Sequence, residues 1–151
     1  MSRQPITTFY FVLVVVRLND RFLLIQEPKY GQNWYFPHGK VDPGETLMAA
    51  AVRETLEEGG IPIGLDGILR IEHTPIQEKA TVRVIFLGHP LDDTPPKSIP
   101  DRDSLRAGWF CRNEMKKLPL RAKEVFEICD YLSKGGPIYP VKIITEKSSS
   151  F

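Results

Sequence analysis

Residues 39–61 read GKVDPGETLMAAAVRETLEEGGI, a segment that holds four glutamates, an aspartate and an arginine. Gly39 is followed after five residues by Glu45, then after seven by Arg53-Glu54, after two by Glu57-Glu58 and after one by Gly60-Ile61. Glu54, Glu57 and Glu58 stand at i, i+3 and i+4, so on a helix they share one face. Like charges so placed repel by roughly a few tenths of a kcal/mol per pair. Helix stability alone would not select such a cluster. One or two divalent cations would turn the repulsion into binding, and carboxylate oxygens are the ligands that hard cations take.

The spacing resembles the signature of the Nudix hydrolases, G-x5-E-x7-R-E-U-x-E-E-x-G-U, where U is a bulky aliphatic residue. Gly39, Glu45, Arg53, Glu54, Glu57, Glu58 and Gly60 fill every fixed position, and Ile61 fits the last aliphatic one. Thr55 departs from the pattern, standing where an aliphatic residue is usual. Its methyl and its hydroxyl, which can bond back to the helix, predict a packing adjustment with the chemistry intact.

The resemblance implies an α/β fold, the α/β/α sandwich with a mixed β-sheet, with the motif loop and helix at one end of the sheet. It also implies hydrolysis of a nucleoside diphosphate linked to another moiety, giving a nucleoside monophosphate and the phosphorylated moiety. Such a reaction requires charge neutralised on the phosphoryl oxygens and a nucleophile made from water, and Mg²⁺ or Mn²⁺ supplies both. By resemblance Glu57 and Glu58 are the principal metal ligands, with the Gly39 carbonyl as a further one. Glu54 is the first choice for general base, touching metal or water; the alternative is that it only partners a neighbouring cation. Arg53 stands four residues before Glu57 and eight after Glu45. Its five donors suit it to brace both carboxylates rather than to meet substrate. Glu45 has two readings, a braced member of the site or a helix N-terminal charge favoured by the macrodipole.

Substrate candidates flank the motif. His38 is read as a side chain facing the mouth of the site, with a role against a phosphate or base as the alternative. Trp34, Tyr35 and Phe36 could stack on a nucleobase or belong to the core. Lys40 could meet a phosphate or be solvated, and Asp101 and Asp103 could add an outer metal ligand or be turn residues. Residues 103–110 and 118–122 are similar to eukaryotic members acting on oxidised guanine nucleoside diphosphates. The expected substrate is therefore a small nucleotide, an oxidised one included. ADP-ribose, another nucleotide sugar or a dinucleoside polyphosphate is the alternative. Pro75 lies near, but out of register with, the proline of ADP-ribose hydrolases, and no tyrosine follows where diadenosine polyphosphate hydrolases carry one. From another class comes a catalytically silent Nudix module that senses a nucleotide; such modules usually lose glutamates that are kept here. An RNA-processing enzyme would expect a basic channel, and Lys116, Lys117, Arg121 and Lys123 lack interleaved aromatics.

The elements that must position these groups can be read from patterning. Residues 6–17 and 21–26 predict a strand pair turned at Asn19-Asp20. A turn-rich stretch at 28–32 leads to the aromatic triplet. Gly39, Pro43 and Gly44 predict a loop. The motif helix is expected from Glu45-Thr46 to a glycine cap at Gly59-Gly60, with Ala49, Val52 and Leu56 as its buried stripe and the carboxylates mostly off it. Strands are expected at 68–73, 81–87 and 108–111, a long surface loop at 89–103, and a second helix at 121–132. A tail from about 134 to 151 carries a β-like piece at 141–145.

Length and composition predict one domain over residues 1–151. Of the chain, 42% is hydrophobic and 26% charged, as in an ordinary soluble globular protein. The net charge of +1 offers no whole-molecule attraction to DNA or membrane. The apolar run 9–16 is too short to span a bilayer, and no signal-peptide pattern opens the chain. Cys111 and Cys129 suggest no disulfide framework, so a cytoplasmic setting is expected. The partner expected is a small nucleotide, acting on a monomer or a homodimer.

Overall fold

The computed structural model describes residues 3–151. Strand β1 (Thr7–Leu18) contains five consecutive aliphatic residues, Val12 to Val16, and all of them are buried. Successive side chains of a strand point to opposite faces. Leu13 and Val15 accordingly join one core, and Val12, Val14 and Val16 join another. An uninterrupted apolar run suits a strand covered on both sides.

The remaining strands are β2 (Arg21–Gln26), β3 (Trp34–Tyr35), β4 (His38–Lys40), β5 (Ile63–Ile76), β6 (Lys79–Pro90) and β7 (Arg106–Cys111). Their order is β3-β2-β1-β6-β5, with β4 on β1 and β7 on β2. β1 and β6 run parallel, from Thr7 opposite Lys79 to Val16 opposite Gly88, while the other strand pairs among the described residues are antiparallel, so the sheet is mixed. Helix α1 (Leu47–Gly59) packs with the Val12, Val14 and Val16 face. Helix α3 (Glu124–Ser133) packs with the Leu13 and Val15 face, through Val125, Cys129 and Leu132. The result is the expected α/β/α sandwich.

The site depends on a split in this sheet. β1 and β2 pair only beside their turn, Arg17 with Phe22 and Leu18 with Arg21. Beyond that point they part, and the 34–40 segment enters between them. β3 pairs with β2 and β4 pairs with β1, Val12 opposite Gly39. Trp34, Tyr35 and Phe36 are 4%, 5% and 0% exposed. Of the two readings of this triplet the core one holds: neither Trp34 nor Phe36 presents a ring face to a nucleobase. Gly39, expected in a loop, lies in β4.

Helix α1 begins where Thr46 accepts the Ala49 N–H at 3.1 Å and ends where Gly60 turns left-handed at φ 76°. Its buried side is not the one expected. Ala50, Ala51, Thr55, Glu58 and Gly59 face inward, while Val52 and Leu56 are 37% and 52% exposed. Small side chains bring the helix close to the sheet: a Cβ on Gly59 would lie 2.8 Å from a Leu23 methyl. Thr55 bonds back to the Ala51 carbonyl at 2.8 Å, the adjustment its position calls for. Turning that side inward also carries Glu58 to the buried side.

Other differences are local. The β5–β6 hairpin is longer than expected at both ends. A short helix α2 (Arg112–Met115) follows β7, and 141–143 is a 3₁₀ turn rather than a strand; the β-like contact lies earlier, where Tyr139 bridges Ile68. Arg121 precedes α3 and donates its N–H to the Trp34 carbonyl at 3.0 Å. Both cysteines are free, and burial pushes the Cys129 thiol up to about 12. Among the described residues no helix is long and apolar enough to cross a membrane.

Gly60 and Gly44 share φ 76°, but a Cβ on Gly60 would lie 3.0 Å from the Lys97 backbone nitrogen, whereas one on Gly44 would meet nothing within 4 Å. Gly44→Ala should therefore lower unfolding stability by about 1 kcal/mol, the left-handed penalty alone. Gly60→Ala should cost more; equal losses in urea titrations would show that the Lys97 contact is unimportant.

Candidate active site

The split sheet places β4 against α1, and one guanidinium organises what lies between them. Arg53 Nε donates to Glu45 Oε2 at 2.7 Å and Nη2 to Glu45 Oε1 at 2.8 Å, a bidentate pair. Arg53 Nη1 donates to Glu54 at 2.9 Å and to Glu57 at 3.1 Å. Nη2 also reaches the Lys40 carbonyl at 3.2 Å. Thus Arg53 braces Glu45 and Glu57 as expected, and Glu54 besides. Glu45 also accepts the Asp42 N–H at 3.1 Å, which closes the motif loop on itself. Of its two readings the geometry favours the braced member of the site, since α1 starts at Leu47 behind the Thr46 cap with no acidic residue in its first turn. These bonds hold the Glu45 carboxyl below its ordinary range.

Glu54 lies over Gly39. A Cβ on Gly39 would fall 2.2 Å from the Glu54 carboxyl carbon, so only glycine leaves room for the carboxylate there. Burial pushes the Glu54 carboxyl up, Arg53 opposing and Glu57 adding to the rise. Glu57, by contrast, is half-exposed.

Glu58 is 8% exposed, and its Oε1 accepts the His38 backbone N–H at 2.7 Å. Burial raises its carboxyl to about 8. The His38 amide and imidazole counter that rise, while Glu54 and Glu27 add to it. The His38 ring is fixed by Nδ1, which donates to the Phe36 carbonyl at 2.9 Å. Its Nε2 stands 3.2 Å from Glu27 Oε1 and 3.0 Å from Arg121 Nη1. Burial works against a charged imidazole, but the bond to Glu27 and the field of Glu58 outweigh it and raise the His38 pKa.

Glu27 was not singled out from the sequence. It follows β2 at 4% exposure and takes Arg121 Nη1 at 2.7 Å. Burial is outweighed by His38 and Arg121, which hold its carboxyl low. Its Oε2 is buried with no hydrogen-bond partner among the described residues. Nothing local in the sequence marks Glu27 or Arg121; they meet because β3 pairs with β2 and residues 119–121 return to Trp34.

The other candidates separate. Lys40 is exposed, its ammonium 4.5 Å from the Phe9 ring centroid, beside a cavity of about 710 Å³ that the motif loop also lines. His38, Glu58, Glu27 and Asp103 open onto a smaller cavity of about 200 Å³. Asp101 is the turn residue of the two readings, accepting the backbone N–H groups of Asp103 and Ser104. Among the described residues no three His, Cys, Asp or Glu side chains already converge as a metal cage. The oxygen-only donor set nonetheless fits a hard divalent cation rather than a soft one. Glu57, Glu58 and the Gly39 carbonyl are the groups that could hold it.

This arrangement belongs to a known class. The family profile described as the NUDIX domain matches residues 9–128. The chain belongs to the Nudix family. It is 34% identical over 129 residues to the 8-oxo-dGDP phosphatase NUDT18 of Mus musculus, covering 82% of this chain and 39% of that protein. It thus spans about two fifths of the length of that relative. Phosphatase NudJ of Shigella boydii is 30% identical over 136 residues, 88% of each chain. The solved NUDIX hydrolase from Nitrosomonas europaea superposes with a TM-score of 0.76 at 26% identity, covering 95% of this chain and 100% of that one.

Because the native Glu58 carboxyl holds its proton up to about 8, the folded metal-free protein binds a proton that the unfolded chain releases near the ordinary carboxylate pKa. Stability from this group is therefore greatest at low pH and declines as pH rises from about 4.5 through about 8. Carboxyl ¹³C NMR of the metal-free protein should show one glutamate titrating near the upper limit, and Glu58→Gln should remove both that resonance and its share of the stability slope. A full set of carboxyls titrating below pH 6 would contradict the burial argument.

Proposed function

We propose that the protein is a divalent-cation-dependent pyrophosphohydrolase. Its substrate is a nucleoside diphosphate linked to another moiety, cleaved by water to a nucleoside monophosphate and the phosphorylated moiety. The observation that carries this reading is the fan of Glu45, Glu54 and Glu57 on Arg53, with Glu54 seated over Gly39 and Glu58 on the buried side. Glu57, Glu58 and the Gly39 carbonyl would hold Mg²⁺ or Mn²⁺, which when bound would polarise the phosphoanhydride and acidify water. Glu54, seated over Gly39 and held by Arg53, takes the proton of the attacking water. Arg53 and Glu45 orient these carboxylates, and such bracing partners typically matter by about 10–100-fold.

For the substrate, an oxidised guanine nucleoside diphosphate is the first candidate. Its support is the relative described as an 8-oxo-dGDP phosphatase at 34% identity, together with the similarity over residues 103–110 and 118–122. With Trp34 and Phe36 in the core, contacts to substrate fall to His38 beside Glu58 and to Lys40 beside the motif loop. The complete glutamate set weighs against a silent sensor module.

Purified protein with Mg²⁺ or Mn²⁺ should hydrolyse at least one member of a panel of oxidised dGDP, oxidised dGTP, ADP-ribose, diadenosine tetraphosphate and coenzyme A. Glu57→Gln and Glu58→Gln should each lower kcat by more than about 100-fold, beyond the loss of an outer partner. Activity surviving excess chelator would sink the cation mechanism, and tight binding without turnover across the panel would favour the sensor reading.

A further inference from the structure

Helix α1 ends in the turn that carries Glu57 and Glu58. An α-helix leaves its last four carbonyls without intrahelical donors, yet here each of the four has one. The Leu56 carbonyl accepts the Gly60 N–H at 3.0 Å, and the Gly59 carbonyl accepts the Lys97 N–H at 2.9 Å. The Glu57 carbonyl accepts from Lys97 Nζ at 2.7 Å and the Glu58 carbonyl from the Ser104 hydroxyl at 2.6 Å. Three of these donors belong to the proline-rich loop 91–105 rather than to the helix.

The loop is itself built to present them. Asp101 Oδ1 takes Lys97 Nζ at 2.5 Å, the Asp103 N–H at 2.8 Å and the Ser104 N–H at 3.2 Å. The Lys97 carbonyl accepts the Ala107 N–H at 2.8 Å, and Leu105 N–H reaches the Gln26 carbonyl at 2.9 Å, tying both ends of the clamp to the sheet. Ser104 is wholly buried and the Lys97 side chain only 11% exposed. A loop lysine with no partner would keep its ammonium in water.

We propose that Lys97 and Ser104 are positioning residues for the proposed cation site, clamping the carbonyls of Glu57 and Glu58 so that the two carboxylates stay in register. The proposal rests on the reading of Glu57 and Glu58 as cation ligands. Helix ends fray, and a site needs its ligands held to within about 0.5 Å. Tying the backbone of both ligand residues to the loop removes that freedom where it would matter. Lys97 also sets a positive charge at the negative end of the helix dipole, next to the acidic cluster. Asp101 serves the same end by fixing Lys97, which gives it a structural task instead of a place among the ligands.

The test uses the whole protein with Lys97→Met, Lys97→Arg and Ser104→Ala, and Glu57→Gln as control. Mn²⁺ affinity is read from the electron paramagnetic resonance signal of free Mn²⁺, amide exchange at residues 57–60 by NMR, and kcat and KM on the best compound of the panel. Lys97→Met should weaken Mn²⁺ binding about 10-fold, as loss of an outer partner does, speed exchange in the last turn and lower kcat with little change in KM. Ser104→Ala should move the same readouts less, and Lys97→Arg should recover most of the loss. Wild-type Mn²⁺ affinity in Lys97→Met and Ser104→Ala, even with reduced stability, would overturn the proposal. If Lys97→Met does not fold, Ser104→Ala decides alone, unchanged affinity again overturning it. If Glu57→Gln binds Mn²⁺ as the wild type does, the cation-site reading falls and the clamp with it, a failure distinct from that of the clamp alone.

Discussion

Arg53 is the interaction on which the rest of the site depends. It gathers Glu45, Glu54 and Glu57 on one planar group, through hydrogen bonds of 2.7–3.1 Å. Lysine could supply the charge but not the fork, since an ammonium lacks the fixed directions that meet three carboxylates at once. The arithmetic of charge is also informative. One guanidinium faces four carboxylates, Asp42 at 3.5 Å included, and Glu58 adds a fifth on the buried side. Burial, with neighbouring carboxylates adding to it, raises the carboxyls of Glu54 and Glu58. A set of oxygen donors suits a hard cation, and binding one would favour the charged form of both carboxyls.

The sheet serves this arrangement by coming apart. Had β1 and β2 paired along their whole length, there would be no place for β4, and Gly39 could not lie beneath Glu54. The parting has a cost in ladder bonds, which the intruding segment restores: β3 pairs with β2, and the Pro37 carbonyl takes the Val14 N–H at 2.8 Å. The same intrusion buries Trp34, Tyr35 and Phe36 as a wedge. Their packing therefore fixes where Gly39 and His38 lie, and they act on the site from the core.

What was legible in the sequence follows from how local each signal is. The ends of α1 were readable because Thr46 and Gly60 are caps, satisfied by atoms within one turn. The strands 7–18 and 21–26 were readable from apolar runs and a turn. The buried side of α1 was not. Ala49, Val52 and Leu56 fit helical spacing as well as Ala50, Ala51 and Thr55 do, and hydrophobicity favoured the larger residues. Close approach to Leu23 decided for the smaller ones, a constraint set by another element. β4 was missed for a similar reason, since three residues containing a glycine become a strand only by meeting β1. Glu27 carried no signal at all; a glutamate after a strand is ordinarily solvated, and here tertiary contacts with His38 and Arg121 bury it.

That pattern of successes and misses separates the bond that breaks from the molecule that contains it. Groups proposed to act on the phosphoanhydride lie within one loop and one helix, at spacings that local geometry enforces. Groups that line the cavities beside them come from distant segments: His38 and Glu27 meet Arg121 on one side, while Phe9 and Lys40 border the motif loop on the other. On the proposed reading, a change of substrate would require no change in the motif, only in residues whose neighbours are set by strand pairing. The first side carries Glu27, Glu58 and Asp103 with His38, and the second sets Lys40 and the Phe9 ring beside Asp42, Glu45 and Glu146. Each side thus mixes cationic and acidic groups, and which of them face its cavity is decided by strand pairing and loop closure rather than by the motif.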